Sequence, residues 1–291
     1  MATTGSPRGD PGDGETAAGN SIERGEHERA GATTVVAARG ASGVLAARYG
    51  SLLQEIAHTL RPRTGASDGA LPPLMVMLTI VTGIVDAVAY LRLGHVFVAN
   101  MTGNVVFLGF SLAGAGGVSV AGSLLAIACF LPGGIVAGRF AAHFGARRLH
   151  QLRAATGLQL LLLMAAILIA SNAGDAIGSN SRFALIIVLA LAMGVQNATA
   201  RRLAVPDLTT TVLTLTLTGI AADSRLAGGS GANSGRRLVS VAAMLVGATL
   251  GAVLLLDVAP AASLALAAAI LAAVCLAAHR MIAHAHPQDP G

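Results

Sequence analysis

Long apolar runs separated by short arginine-bearing breaks dominate the second two-thirds of the chain. A bilayer core takes roughly 20 apolar residues of helix. Six runs meet or approach that length: Leu71–Leu91, Val118–Gly138, Ala154–Ala170, Phe183–Ala200, Leu238–Leu256 and Ala259–Ala278. Two more are shorter or more polar. Val96–Ala113 carries Asn100, Thr102, Gly103 and Asn104, and Leu208–Ala222 carries six threonines, among them Thr211 and Thr214. The pattern predicts an all-α, polytopic membrane protein with six spanning helices and two re-entrant or half-length polar segments. Eight full spans are the alternative.

Charge arbitrates between the two. The chain has 19 arginines and no lysine. With six spans and the N-terminus inside, Arg61, Arg63, Arg139, Arg147, Arg148, Arg153, Arg201, Arg202, Arg225, Arg236, Arg237 and Arg280 share one side, leaving Arg92 and Arg182 opposite. Eight spans divide them evenly. Positive residues gather on the cytoplasmic side of membrane proteins, so six spans with a cytoplasmic N-terminus are expected, in a bacterial cytoplasmic membrane.

Before the first run the pattern changes. Residues 1–42 are rich in Gly, Ser, Thr and acidic residues, with too little apolar surface to offset the entropy of ordering, and are expected to be a disordered cytoplasmic tail. In residues 43–63, Leu45, Tyr49, Leu52, Ile56 and Leu60 recur at spacings of three and four, which predicts a juxtamembrane amphipathic helix on the bilayer surface. The membrane domain is expected over 71–279 and a polar tail over 280–291. Charged residues make up 11% of the chain, against about 25% in a soluble domain, so the basic balance reads as membrane topology and not nucleic-acid binding. Cys129 and Cys275 lie in apolar runs and form no disulfide framework.

The two halves, about 71–171 and 183–279, echo each other. Gly83-Ile-Val-Asp86-Ala matches Gly194-Val-Gln196-Asn197-Ala. Met101-Thr102-Gly103-Asn104 faces Leu213-Thr214-Leu215-Thr216. Gly134 and Gly138 match Gly247 and Gly251, each pair a GxxxG that lets two helix backbones approach. Each half reads as long helix, short polar segment, long helix, long helix. Three spans per half invert the second relative to the first, a plan common among secondary transporters.

The run from Gly83 to Leu91 followed by Val96-Phe97-Val98-Ala99-Asn100-Met101-Thr102-Gly103-Asn104 resembles the N-terminal signature of the YoaK-like family, bacterial multi-pass membrane proteins built on a domain of unknown function. Gly194 to Ala198 followed by Thr209 to Thr218 is similar to its second signature. The resemblance covers about Leu74 to Ala278 and implies an inner-membrane location without a substrate or reaction.

Asp86 is the one acidic residue well inside a long run, where a carboxylate costs at least ~2.5 kcal/mol to insert. A candidate solute or ion site is expected among Asp86, Asn100, Thr102 and Asn104 from the first half and Gln196, Asn197, Thr211 and Thr214 from the second. The bland alternative is that these side chains only bond helix to helix or to their own helix backbones. GxSxG, HExxH, P-loop and CxxC motifs are absent from the sequence, and no catalytic, cofactor or metal role is expected. The function expected is a small-solute permease or exporter, proton-coupled through Asp86, whose partners are the bilayer and an unknown small solute or proton. The alternative is a non-transporting scaffold or sensor.

Overall fold

The computed structural model describes residues 2, 50–61, 69–174, 177–205, 208, 213–224, 227–229 and 233–285. Expectations for the tail over 1–42, and for Thr211, fall outside the described residues. The chain divides into two compact units, 1–53 and 54–291. The described part of the first is residue 2 and helical residues 50–53.

The described residues form nine helices: α1 (residues 50–60), α2 (Leu71–Arg92), α3 (Met101–Leu112), α4 (Val120–Phe144), α5 (Arg148–Ala173), α6 (Ser179–Leu203), α7 (Leu213–Ala222), α8 (Ser234–Asp257) and α9 (Pro260–Ala285). Six of them, α2, α4, α5, α6, α8 and α9, are long and apolar enough to cross a membrane; α3 and α7 are apolar but short. The protein is a polytopic all-α membrane protein. α9 runs on to Ala285, so the start of the expected polar tail at 280 continues the helix.

The helix boundaries follow from local chemistry. Prolines at the start of α2 lack an N–H that would have no partner there anyway. Ser119 caps α4 by accepting the Gly122 N–H at 3.0 Å. Pro132 inside α4 removes one helix hydrogen bond, which a membrane helix tolerates when neighbours compensate.

The backbone settles where α3 lies. After α2 the chain reverses at Gly94 (φ 92°) and His95 (φ 56°). The Ser119 N–H then donates to Gly94 O at 3.3 Å, and His95 Nδ1 lies 3.0 Å from Gly117 O. The start of α4 therefore sits beside the end of α2, so α3 enters and leaves by one face of the bundle without crossing.

Other contacts sort the remaining helix ends. The Arg182 guanidinium near the start of α6 also approaches Gly94. At the opposite face Arg148, at the start of α5, donates to Leu203 O at the end of α6. Arg153 meets His279 of α9 at 3.3 Å, and the α8 residue Arg237 pairs with Asp223 at 2.7 Å. Arg92 and Arg182 thus share one face. The described arginines of the α4–α5 loop, of the ends of α6 and α9 and of the start of α8 share the other.

α2 and α6 are the most buried spanning helices, and the rest turn large apolar side chains such as Ile135, Leu161, Leu168 and Leu245 outward. α2 packs on α8 and α9, and α6 packs on α4 and α5. α5 also packs on α9, α3 on α4, α7 on α8, α4 on α5, α8 on α9, and α2 touches α6. Exchanging α2 with α6, α3 with α7, α4 with α8 and α5 with α9 turns each of these packed pairs into another or into itself.

Glycines set the closest crossings. Lipid supplies no hydrophobic drive between helices, so close backbone contact must hold them together. A methyl group on Gly83 would sit 2.5 Å from Met244 O and 2.6 Å from Ala248 N of α8, and one on Gly247 would overlap Ile80 O of α2. In the other pair a methyl on Gly194 would overlap Phe130 O of α4, and one on Gly133 would overlap Leu191 O of α6.

This corrects the packing glycines expected in the first half. A methyl on Gly134 would meet only Ala198 Cβ at an ordinary 3.8 Å, and one on Gly138 would meet nothing within 4 Å. The close approach belongs to Gly133, with the buried Ala137 one turn on; on α8 a methyl on Gly247 would overlap Ile80 O and one on Gly251 would lie 2.8 Å from Ile84 Cα.

Candidate functional site

α2 brings Thr82 and Asp86 onto one face, a turn apart. Asp86 lies six residues before Arg92, about 9 Å along the axis from the helix end at 1.5 Å per residue. It is 4% exposed. Its Oδ1 accepts the Val98 N–H at 3.0 Å and the Ala99 N–H at 2.9 Å. Its Oδ2 is buried without a hydrogen-bond partner.

The connector before α3 is thus held at the level of Asp86, and a second side chain completes the hold. Asn104, the buried residue of α3, accepts the Phe97 N–H at 2.9 Å and donates to Phe97 O at 2.6 Å. An amide reading both backbone groups of one residue fixes its conformation. The Phe97 ring stacks on Tyr90 with centroids 5.1 Å apart and on Phe107 at 5.9 Å. A Cβ at Gly103 would lie 2.6 Å from that ring, so the glycine makes room for it. Asp86, Asn104 and Gly103 therefore act on the same three residues, 97–99.

Gln196 of α6 belongs to a second cluster. Its Nε2 donates to Leu78 O at 3.0 Å and to Thr82 Oγ1 at 2.7 Å, while its Oε1 accepts from Gln159 Nε2 of α5 at 2.6 Å. Thr82 itself donates to Leu78 O at 3.0 Å. The cluster joins three spanning helices, with all three side chains buried. Gln159 Oε1 has no partner. Thr82 sits one turn from Asp86 and links the two clusters along α2.

The structure leaves other expected site residues apart from these. Asn100 precedes α3 with an exposed side chain that makes no capping bond, and Thr102 and Thr214 are exposed. Asn197 donates to its own helix carbonyl, Met193 O, at 2.9 Å. In α7 the buried residue is Thr216, the position that faces Asn104 in the sequence comparison of the halves. Thr82 and Gln159 were not among the expected site residues. Gln159 carried a signal, an amide in the middle of the apolar run Ala154–Ala170, whereas Thr82 is one of several threonines that merely fit a membrane helix.

The family described as "Protein of unknown function (DUF1275)" matches residues 74–277, the whole bundle from α2 into α9. The chain belongs to this family. It is also similar to the UPF0700 transmembrane protein YoaK of Bacillus subtilis (strain 168), 34% identical over 154 residues that cover 52% of this chain and 65% of that protein. The matched stretch thus spans a little under two thirds of the relative's length. No solved structure matches. Within this DUF1275 member the residues that carried the family resemblance, from Gly83 to Asn104, are those that build the Asp86–Asn104 hold.

Proposed function

We propose that this DUF1275 protein is a small-solute permease or exporter of the bacterial cytoplasmic membrane, coupled to protons through Asp86. The carrying observation is the Asp86 carboxylate: buried in a spanning helix, with one oxygen bonded and the other without a partner. An acid retained at membrane depth is a functional residue by default, because insertion costs at least ~2.5 kcal/mol. The bonded oxygen ties the same carboxylate to the re-entrant connector, so a proton or ion at Oδ2 acts on a group that also positions α3.

The architecture supports this reading. Packing that maps onto itself when α2–α5 are exchanged with α6–α9 fits two inverted repeats, 71–171 and 183–279, with α3 and α7 entering from opposite faces. Alternating access in such proteins is a rocking of one repeat against the other. The arginine-rich face is assigned to the cytoplasm, with the N-terminus on that side. The reading assigns the chain no catalytic step.

A scaffold role has its own support. Asp86 Oδ1 and both ends of the Asn104 amide are spent on backbone groups, as purely structural side chains would be.

Flux measurements in proteoliposomes decide between the two. With an imposed pH gradient and a panel of labelled solutes, gradient-driven uptake is expected in the wild type and absent in Asp86→Asn of equal yield. A folded wild-type protein that moves none of the panel, and no protons, leaves the scaffold role.

A further inference from the structure

The orientation of the glutamine chain carries a statement about substrate chemistry. An amide's oxygen and nitrogen are assigned from their partners. Here the assignment has an anchor, since Leu78 O is a backbone carbonyl and can only accept. The group of Gln196 facing it must be the NH2, which turns Gln196 Oε1 toward α5. That oxygen needs a donor, so Gln159 must present its NH2 to Gln196. Its own Oε1 then remains as the unpartnered end of the chain. The end facing away from Gln196 is therefore an acceptor, by necessity of the network.

Asp86 Oδ2 is a second buried, unpartnered acceptor, in the neighbouring cluster one helical turn beyond Thr82 on α2. Two buried hydroxyls among the described residues also lack partners, that of Ser240 in the second turn of α8 and that of Ser123 in the first turn of α4, and a hydroxyl accepts as readily as it donates. The guanidinium groups of Arg182 and Arg237 lie in the first four residues of α6 and α8, at the two ends of the bundle. Away from the helix ends, the described spanning helices thus offer two acceptors, one of them a carboxylate oxygen, one ambivalent hydroxyl, and no buried cationic side chain.

A buried acceptor without a donor costs about 1–3 kcal/mol. A ligand that supplies donors and positive charge removes that cost, whereas an anion would add repulsion to it. From this we infer that the solute handled by the bundle is a small ammonium-type cation, received by Gln159 Oε1 and Asp86 Oδ2. The inference rests on the permease reading and narrows its substrate class.

The probe is labelled methylammonium, added to purified full-length protein in detergent and competed with acetate and urea. Methylammonium is expected to bind and acetate not to compete. Gln159→Met removes the acceptor while keeping side-chain length, and is expected to bind methylammonium about tenfold more weakly. Where that variant does not fold, wild-type selectivity among the three probes decides alone. Absence of methylammonium binding, equal binding by wild type and a folded Gln159→Met protein, or competition by acetate each overturns the inference. The permease reading fails separately. Methylammonium binding without flux removes transport and keeps the site, while anion flux without methylammonium binding removes the site and keeps transport.

Discussion

Gly83 on α2 and Gly247 on α8 lie backbone against backbone, each placed where a methyl group on it would strike the other helix. Gly194 on α6 and Gly133 on α4 stand in the same relation. Gly83 and Gly194 are 111 residues apart and Gly247 and Gly133 are 114 apart. The two crossings correspond only if the second half has gained three residues between its first and third helices.

Alanine at Gly83, Gly133, Gly194 or Gly247 is expected to lower thermal stability in detergent. Overpacking a close contact costs about 1–3 kcal/mol. Gly138→Ala is the internal control. It meets open space, and alanine favours helix by up to about 1 kcal/mol, so its melting temperature should stay level or rise. A destabilised Gly138→Ala beside a wild-type-like Gly133→Ala would return the crossing to the register Gly134–Gly138.

Accessibility to labelling tests the assignment of faces. Single cysteines near Arg147, near Arg202 and near His279 are expected to resist an impermeant maleimide in intact cells. Cysteines in the 113–117 loop are expected to react. The prediction uses the bond between Gly94 and Ser119, which returns α3 to the face it entered from. Labelling near Arg147 together with protection of the 113–117 loop would mean either that the whole bundle is reversed or that α3 and α7 cross; labelling near His279 then marks reversal, and protection there marks eight spans.

Asn104 is predicted to matter more than its exposed neighbours. Asn104→Leu leaves the N–H and C=O of Phe97 without partners, which should cost about 2 kcal/mol or more in stability, from roughly 1–3 kcal/mol for each buried unsatisfied group. Asn100→Ala and Thr102→Ala touch no such bond and should melt within a degree or two of wild type. Gly103→Ala should act like the Asn104 variant, since its new methyl displaces the Phe97 ring. Circular-dichroism melts of the four proteins check the order, and a destabilised Asn100→Ala would contradict it.

Much of the architecture could be read from the chain because membrane insertion writes it in coarse letters. Span length fixed α2, α4, α5, α6, α8 and α9 to within a few residues at most ends. The arginine distribution separated the half-length α3 and α7 from them. The site was less legible for two reasons. A polar letter in an apolar run announces that a partner is needed but does not name it, and for Asp86 and Asn104 the partner is backbone, which no letter encodes. Asn100, Thr102 and Asn104 look alike in sequence, yet helix phase buries only Asn104. The choice of Gly133 over Gly134 likewise depends on the rotation of α4 against α6, which a Gly-Gly pair after Pro132 leaves open.

Asp86 combines both kinds of role, and two substitutions separate them. Asn at this position keeps an oxygen for the Val98 and Ala99 N–H groups, so the connector stays tethered. It places an NH2 where Oδ2 was and abolishes the charge. Asp86→Asn is therefore expected to melt near wild type, with a loss of about 1 kcal/mol as charge-assisted bonds become neutral ones. Asp86→Leu removes the tether altogether and strands two buried N–H groups, each costing about 1–3 kcal/mol. Its melting point should fall well below that of the Asn variant, and the connector should show faster amide hydrogen exchange at Val98 and Ala99. If Asn and Leu destabilise equally, the charge itself holds the fold, and the oxygen facing the connector is not the tether described. If neither destabilises, the bonds to Val98 and Ala99 carry no weight, and the carboxylate must be explained by its unpartnered oxygen alone.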